Sequence, residues 1–167
     1  MRDFSLVQEI DATVDEHWRT FFAPEFERHV VEQLRFRSYE TLEHADTDTG
    51  FRRTTRAVPQ INAPGPVAKL IGSSFGYVEE GTFDNASKTW RTHTIPNTFS
   101  GRMFCDSVMR VDPTSETSST RTLEFHIEAR LLGIGGMVES TFENQLRKGW
   151  ADSVALLNGY LRRTRSA

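Results

Sequence analysis

Cysteine is nearly absent: Cys105 stands alone among 167 residues, so no internal disulfide can form and a reducing compartment is implied. Long apolar runs are missing too. No window approaches the roughly 18 apolar residues of a membrane span, and the opening MRDFSLVQEIDA holds no stretch of signal-peptide length. A soluble, cytoplasmic protein is therefore expected. Cations are in no excess, with 20 Lys and Arg against 23 Asp and Glu and a net charge of −3. That balance lacks the electrostatic footprint of a nucleic-acid binder. The five histidines include no HExxH pair, and G-x-S-x-G, Walker and Rossmann patterns are all absent. No metal, cofactor or catalytic residue is expected on these grounds.

What is present describes one ordinary globular domain over residues 1–167, long enough to bury roughly 70% of its unfolded surface. Phe is abundant at 12, which favours a bulky apolar interior or an apolar ligand site. Phe4, Leu6 and Ile10 alternate with polar residues as in a half-buried strand. Asp11 then offers an N-cap for a helix carrying Val14, Trp18, Phe21 and Phe22. Pro24 ends it and opens a second helix with Phe26, Val30 and Leu34 on one side. LRFRSYETLEH and FRRTTRAV read as a hairpin around ADTDTG. The segment from Pro59 to Ser74 holds Pro59, Pro64, Gly65, Pro66 and Gly72, which exclude a strand; Val67–Ile71 reads as one helical turn. FGYVEEGTF, KTWRTHTI, FSGRMFCDSVMRV and TRTLEFHIEARL read as four more strands, joined by turn chemistry.

Two readings of these strands bear on chemistry. Cys105 alternates with Met103 and Met109 and reads as a core residue, without the His partner or electropositive setting of a reactive thiol. Glu79 and Glu80 fall on opposite faces of one strand and cannot act as an acid–base pair. The histidines, His17 and His126 included, read as surface or interface residues. The basic end, YLRRTRSA, reads as a solvated tail.

The last strand leads into GIGG and an amphipathic helix of about 25 residues, from Ile134 to Tyr160. Glycines at such a junction serve either a phosphate cradle or a turn from sheet to helix. A phosphate loop belongs to a βαβ unit with a parallel strand and carries a Lys and a Ser or Thr; this antiparallel run has neither. The turn reading is preferred. The fold class is then α+β: an antiparallel sheet of about seven strands around a long C-terminal helix, with two short helices after the first strand.

This order of elements resembles the START-like (Bet v 1, or SRPBCC) helix-grip superfamily along nearly the whole chain. Ile134-Gly-Gly-Met-Val-Glu-Ser140 is similar to the helix start of an actinobacterial family of unknown function. Pro66-Val-Ala-Lys-Leu-Ile-Gly72 and Lys148-Gly-Trp150 are similar to segments of the PRELI-like phospholipid carriers. The resemblance implies a curved sheet and a cavity that holds a lipid or another hydrophobic small molecule, and possible transfer between membranes.

Within that frame, Met103, Met109, Leu123, Phe125 and Ile127 are expected to line the cavity wall. Phe142 and Leu146 would form the roof, and Arg53, in phase with Phe51, would offer positive charge to a head group. Ile61, Val67, Lys69, Leu70 and Ile71 would form a gate, with transient contact to a membrane surface. Two alternatives stay open. One is a cyclase- or hydrolase-type enzyme on an aromatic or polyketide-like substrate, which would need a convergent polar set that alternation does not reveal. The other is a protein-interaction module with a closed core.

Overall fold

The computed structural model describes residues 1–63, 65–99 and 101–167. Pro64, one of the expected breakers, and Ser100, expected inside a strand, lie outside the described residues. The chain begins with strand β1 (Arg2–Ile10), then helices α1 (Val14–Phe21) and α2 (Pro24–Gln33). Strands β2 (Ser38–Thr47) and β3 (Gly50–Val58) follow, then helix α3 (Gly65–Ile71). Strands β4 (Tyr77–Asp84), β5 (Thr89–Pro96), β6 (Met103–Pro113) and β7 (Ser119–Ala129) lead to helix α4 (Gly135–Ser166). All seven strands form one antiparallel sheet in the order β1-β7-β6-β5-β4-β3-β2. The architecture is the helix-grip: a curved sheet wrapped on a long final helix. Among the described residues no helix is long and apolar enough to cross a membrane.

Local chemistry accounts for the elements and for the differences from expectation. The N-cap of α1 is Thr13, not Asp11: the Thr13 hydroxyl accepts from Glu16 N (3.3 Å) while the Glu16 carboxylate accepts from Thr13 N (2.9 Å). This reciprocal capping box satisfies two free helix amides at once. Asp11 instead ties β1 to α4, accepting from Arg162 at 2.8 Å. Pro24 occupies the first turn of α2, where its missing N–H costs nothing. The first hairpin turns on Asp48 and Thr49 alone, since Thr47 already pairs with Gly50. The strand expected from Phe99 begins at Met103. The segment expected to make one helical turn is the seven-residue α3. Helix α4 runs 32 residues. The basic end expected to be a solvated tail is its last turns, where Arg162 reaches Asp11 and Arg165 reaches Glu16 (3.2 Å).

Where α1, α4, β1 and β7 meet, the core is filled around an arginine. Arg121 is fully buried; its Nε and Nη2 donate to Gln8 Oε1 at 2.9 and 2.6 Å, and its guanidinium lies 5.0 Å from the Trp150 ring centre. Among the described residues no carboxylate pairs with it, and burial pushes its pKa down to about 9. His17, expected at the surface, is fully buried beside it. Desolvation, assisted by the Arg121 charge, lowers its pKa to about 3, so its ring is neutral. The helical phase of Trp18 and Phe21 carries His17 inward with them, since the helix presents a wide apolar arc.

The junction into α4 explains the glycines. Gly133 has φ +78°, a conformation that strains side-chain-bearing residues. A Cβ at Gly135 would sit 2.5 Å from the Ala129 carbonyl oxygen, whereas one at Gly136 meets open space. One turn along, Glu139 Oε1 accepts from Ala129 N at 2.9 Å, so α4 seats on both polar atoms of Ala129. The strand before this turn is antiparallel to both its neighbours, which excludes the βαβ setting of a phosphate loop. Gly135→Ala is expected to cost about 1–3 kcal/mol by overpacking. Gly133→Ala should cost about 1 kcal/mol from its backbone conformation. Gly136→Ala should be neutral or stabilise by up to about 1 kcal/mol through helix propensity. Urea denaturation of the three variants checks the order; equal losses at 135 and 136 would refute this account of the junction.

Candidate functional site

The inward positions of the sheet form transverse rows, and their composition changes from one edge to the other. One row runs Leu123, Met109, Trp90, Phe83, Phe51 and is apolar throughout. The next runs Phe125, Ser107, Thr92, Gly81, Arg53, and the third Ile127, Cys105, Thr94, Glu79, Thr55. Each starts apolar under α4 and becomes polar toward β3. Helices α1 and α4 cover the apolar parts. Over the polar parts they leave a cavity of about 500 Å³, bounded by α2, β2–β6 and the middle of α4.

Trp90 shapes the floor of this space. A Cβ at Gly81 would fall 2.0 Å from Trp90 Cζ2, so the indole occupies the place a side chain at 81 would take. The same ring lies 5.5 Å from the Arg53 guanidinium, and Phe22 lies equally far from it. These contacts favour the cation.

The polar end gathers seven hydrogen-bonding side chains. Arg53 Nη1 donates to Glu27 Oε2 at 3.0 Å, and the Tyr39 hydroxyl lies 3.5 Å from the same oxygen. Arg53 Nε is buried and unpartnered among the described residues. Glu79 accepts from Thr94 Oγ1 at 3.4 Å, and Thr92 Oγ1 shares a 2.8 Å hydrogen bond with Ser107 Oγ. Desolvation raises the Glu79 carboxyl above its ordinary range, with the Arg53 charge opposing. Burial lifts Tyr39 and Tyr77 far above the usual phenol range and pushes the Cys105 thiol up to about 12, with Glu79 adding to each. The surface that Glu79 keeps faces the cavity.

The residues singled out from the sequence distribute as follows. Arg53, Met103, Met109, Phe125, Phe142 and Leu146 border the cavity. Leu123 and Ile127 do not: both are fully buried, Leu123 packed with Trp18 and Ile127 with Val138, in parts of the core that the helices fill. Ile61 borders the mouth beside Asn62, whose carbonyl accepts from Gln145 Nε2 at 2.6 Å. Val67 and Ile71 are buried against Phe75, while Lys69 and Leu70 are exposed and away from the cavity. Among the described residues the lining thus includes 59–62, the end of α2 and α4, while Val67 and Ile71 reach it only through Phe75 and Phe142. Cys105 is a wall residue, half-buried at the cavity.

Glu27, Tyr39, Tyr77 and Glu79 were not anticipated. The alternation in YVEEGTF did hold a signal, because Tyr77 and Glu79 share their phase with the core residue Phe83. Tyr39 gave none, since the register shift between Thr41 and Glu43 interrupts the period of its strand.

The family model described as "Protein of unknown function (DUF2505)" matches residues 5–161. No curated protein matches the chain. Among solved structures, a START superfamily protein from Mycobacterium smegmatis is 14% identical with TM-score 0.62, covering 95% of this chain and 98% of that one. The Zhui aromatase/cyclase from Streptomyces sp. R1128 is 10% identical with TM-score 0.70, covering 97% and 94%. Norcoclaurine synthase from Thalictrum flavum is 17% identical with TM-score 0.62, covering 93% and 85%. These likenesses show a shared fold.

The burial of Glu79 makes stability depend on pH. Its folded pKa lies above the ordinary 4.5, so between those values the folded chain binds more protons than the unfolded one. Stability from this carboxyl is present below the unfolded pKa and declines as pH rises through the folded pKa. Glu79→Gln should therefore raise the melting temperature at pH 7.5, with the gain vanishing near pH 4. Thermal denaturation across that range checks it; a loss of stability at pH 7.5 would contradict the unpaired state of this carboxylate.

Proposed function

We propose that this chain, which belongs to the family described as "Protein of unknown function (DUF2505)", binds a hydrophobic small molecule in the cavity beneath α4. The observation that carries this reading is a partly open pocket of about 500 Å³ with aromatic and aliphatic walls and a cluster of polar groups at its inner end. Small-molecule sites have this character, with volumes of roughly 300–1,000 Å³ and few polar anchors. A closed interaction module would instead pack this space at interior density.

The volume suits a ring-bearing or single-chain molecule better than a two-chain phospholipid. Transfer of such a molecule between membranes is the extension suggested by the PRELI-like segments. The exposed Lys69 and Leu70 on α3 support it, since a cation beside an apolar side chain suits an anionic membrane surface. The likeness of Ile134–Ser140 to an actinobacterial family bears on the seating of α4 and leaves the ligand open. A second reading, a cyclase- or hydrolase-type enzyme, is favoured by one observation: Glu79, Tyr39 and Tyr77 converge on the cavity.

Organic extracts of the purified protein, analysed by mass spectrometry, should contain a hydrophobic molecule near one equivalent. Leu146→Trp fills space that the wild type leaves empty, so it should lower that occupancy about tenfold. Leu146 also packs against the core beside Phe125 and Ile127, so the melting temperature should shift little only if the added ring enters the cavity. An empty wild-type extract, together with a sharp loss of stability in the variant, would overturn the binding reading.

A further inference from the structure

We propose that the molecule taken by this cavity carries a basic amine, which seats beside Glu79, on an aromatic or hydrocarbon body. This deepens the binding reading above and rests on it. The argument begins with the charges that face the space. Two carboxylates do so from the fold's interior, Glu27 on α2 and Glu79 on β4, against one cation, Arg53 on β3. At the mouth, Lys148 and Asp152 pair with each other at 2.6 Å, and the exposed Arg35, just after α2, adds a cation.

Arg53 is committed. Its side chain is 11% exposed, it donates to Glu27 at 3.0 Å, and Phe22 and Trp90 flank it. In this proposal its charge is met by Glu27 rather than by an anionic head group, although its buried Nε has no partner among the described residues. At the interior end an anionic ligand would be a third negative charge beside one positive charge, since Arg35 and Lys148 stand at the mouth.

Glu79 is left without a cation of its own. Among the described residues its hydrogen bond comes from Thr94 at a long 3.4 Å, whereas a carboxylate accepts at about four positions. Its other neighbours are Tyr39 on β2, Tyr77 on β4 and Cys105 on β6, and all three stay neutral near pH 7 because burial raises them. The Arg53 charge acts on Glu79 too, but the ion pair Arg53 makes is with Glu27, and a largely desolvated carboxylate without its own partner is costly. A neutral hydroxyl would give it a single hydrogen bond. A protonated amine gives it a charge and up to three donors, and can also approach the faces of the aromatic wall.

Calorimetry with three probes of one shape tests this: 1-naphthylmethylamine, 1-naphthalenemethanol and 1-naphthaleneacetate, titrated into the delipidated full chain at pH 7.5. The amine should bind about tenfold or more tighter than the alcohol, as a charge-assisted hydrogen bond supplies, and the acid should bind weakest. Glu79→Gln should collapse the amine-to-alcohol ratio toward one. An acid that binds as tightly as the amine, or a Gln variant that keeps the amine preference, overturns the inference. If alcohol and amine bind equally well to the wild type, the inference falls and the binding reading stands. If none of the three binds, both fall.

Discussion

Trp90 lying across Gly81 is the contact on which the interior depends. The bare backbone at 81 lets the indole lie flat on the sheet, where it closes the apolar row of Leu123, Met109, Phe83 and Phe51. On its other side the same ring meets the Arg53 guanidinium and so holds a charge at the boundary of the filled core. Remove that ring and the boundary dissolves: the apolar row loses its cover, and Arg53 loses one of its two aromatic flanks. The division of the sheet into a packed half and an open half therefore runs through one residue pair.

Each half contains a buried arginine, and the two solve the cost of burial differently. Arg121 sits in the packed half with a neutral partner, Gln8, and an aromatic face, Trp150. Nearby His17 is kept neutral, so the region holds a single charge. Arg53 sits at the open half with a carboxylate partner, Glu27, and a second carboxylate within its field. A neutral amide suffices where nothing needs to enter. The surplus of acceptors appears only where there is room for another molecule to supply donors.

The layers of this fold were legible in the sequence because periodicity reports which face is buried. The period of two in residues 123–129 and the three-to-four spacing along α4 located the sheet face and helix face, and Pro24 marked the break between α1 and α2. What periodicity cannot report is whether a buried face meets a neighbour or an empty space. Leu123 and Ile127 share the phase of Phe125, yet α1 and α4 pack onto the first two and leave Phe125 at the cavity edge. Polar members of an inward phase were the overlooked signal: Glu79 and Tyr77 alternate with Phe83 as strictly as any core residue. The N-cap was misplaced for a simpler reason, since Asp11 is a good cap in isolation and only the Thr13–Glu16 reciprocity decides between the two.

The hydrogen bond from Gln145 to the Asn62 carbonyl also bears on exchange. It joins α4 to the 59–62 segment across the rim of the mouth, and its donor side chain lies near solvent. One such bond is worth about 0.5–1.5 kcal/mol net, which changes a rate by about tenfold at most. This bond alone therefore adds little to the barrier for opening the rim, which rests as well on the packing of Ile61 and Ala63 against Val67, Ile71 and Phe75. If the cavity takes a ligand as proposed, its residence time would be governed by the contacts it makes, and exchange would need no loosening of the sheet.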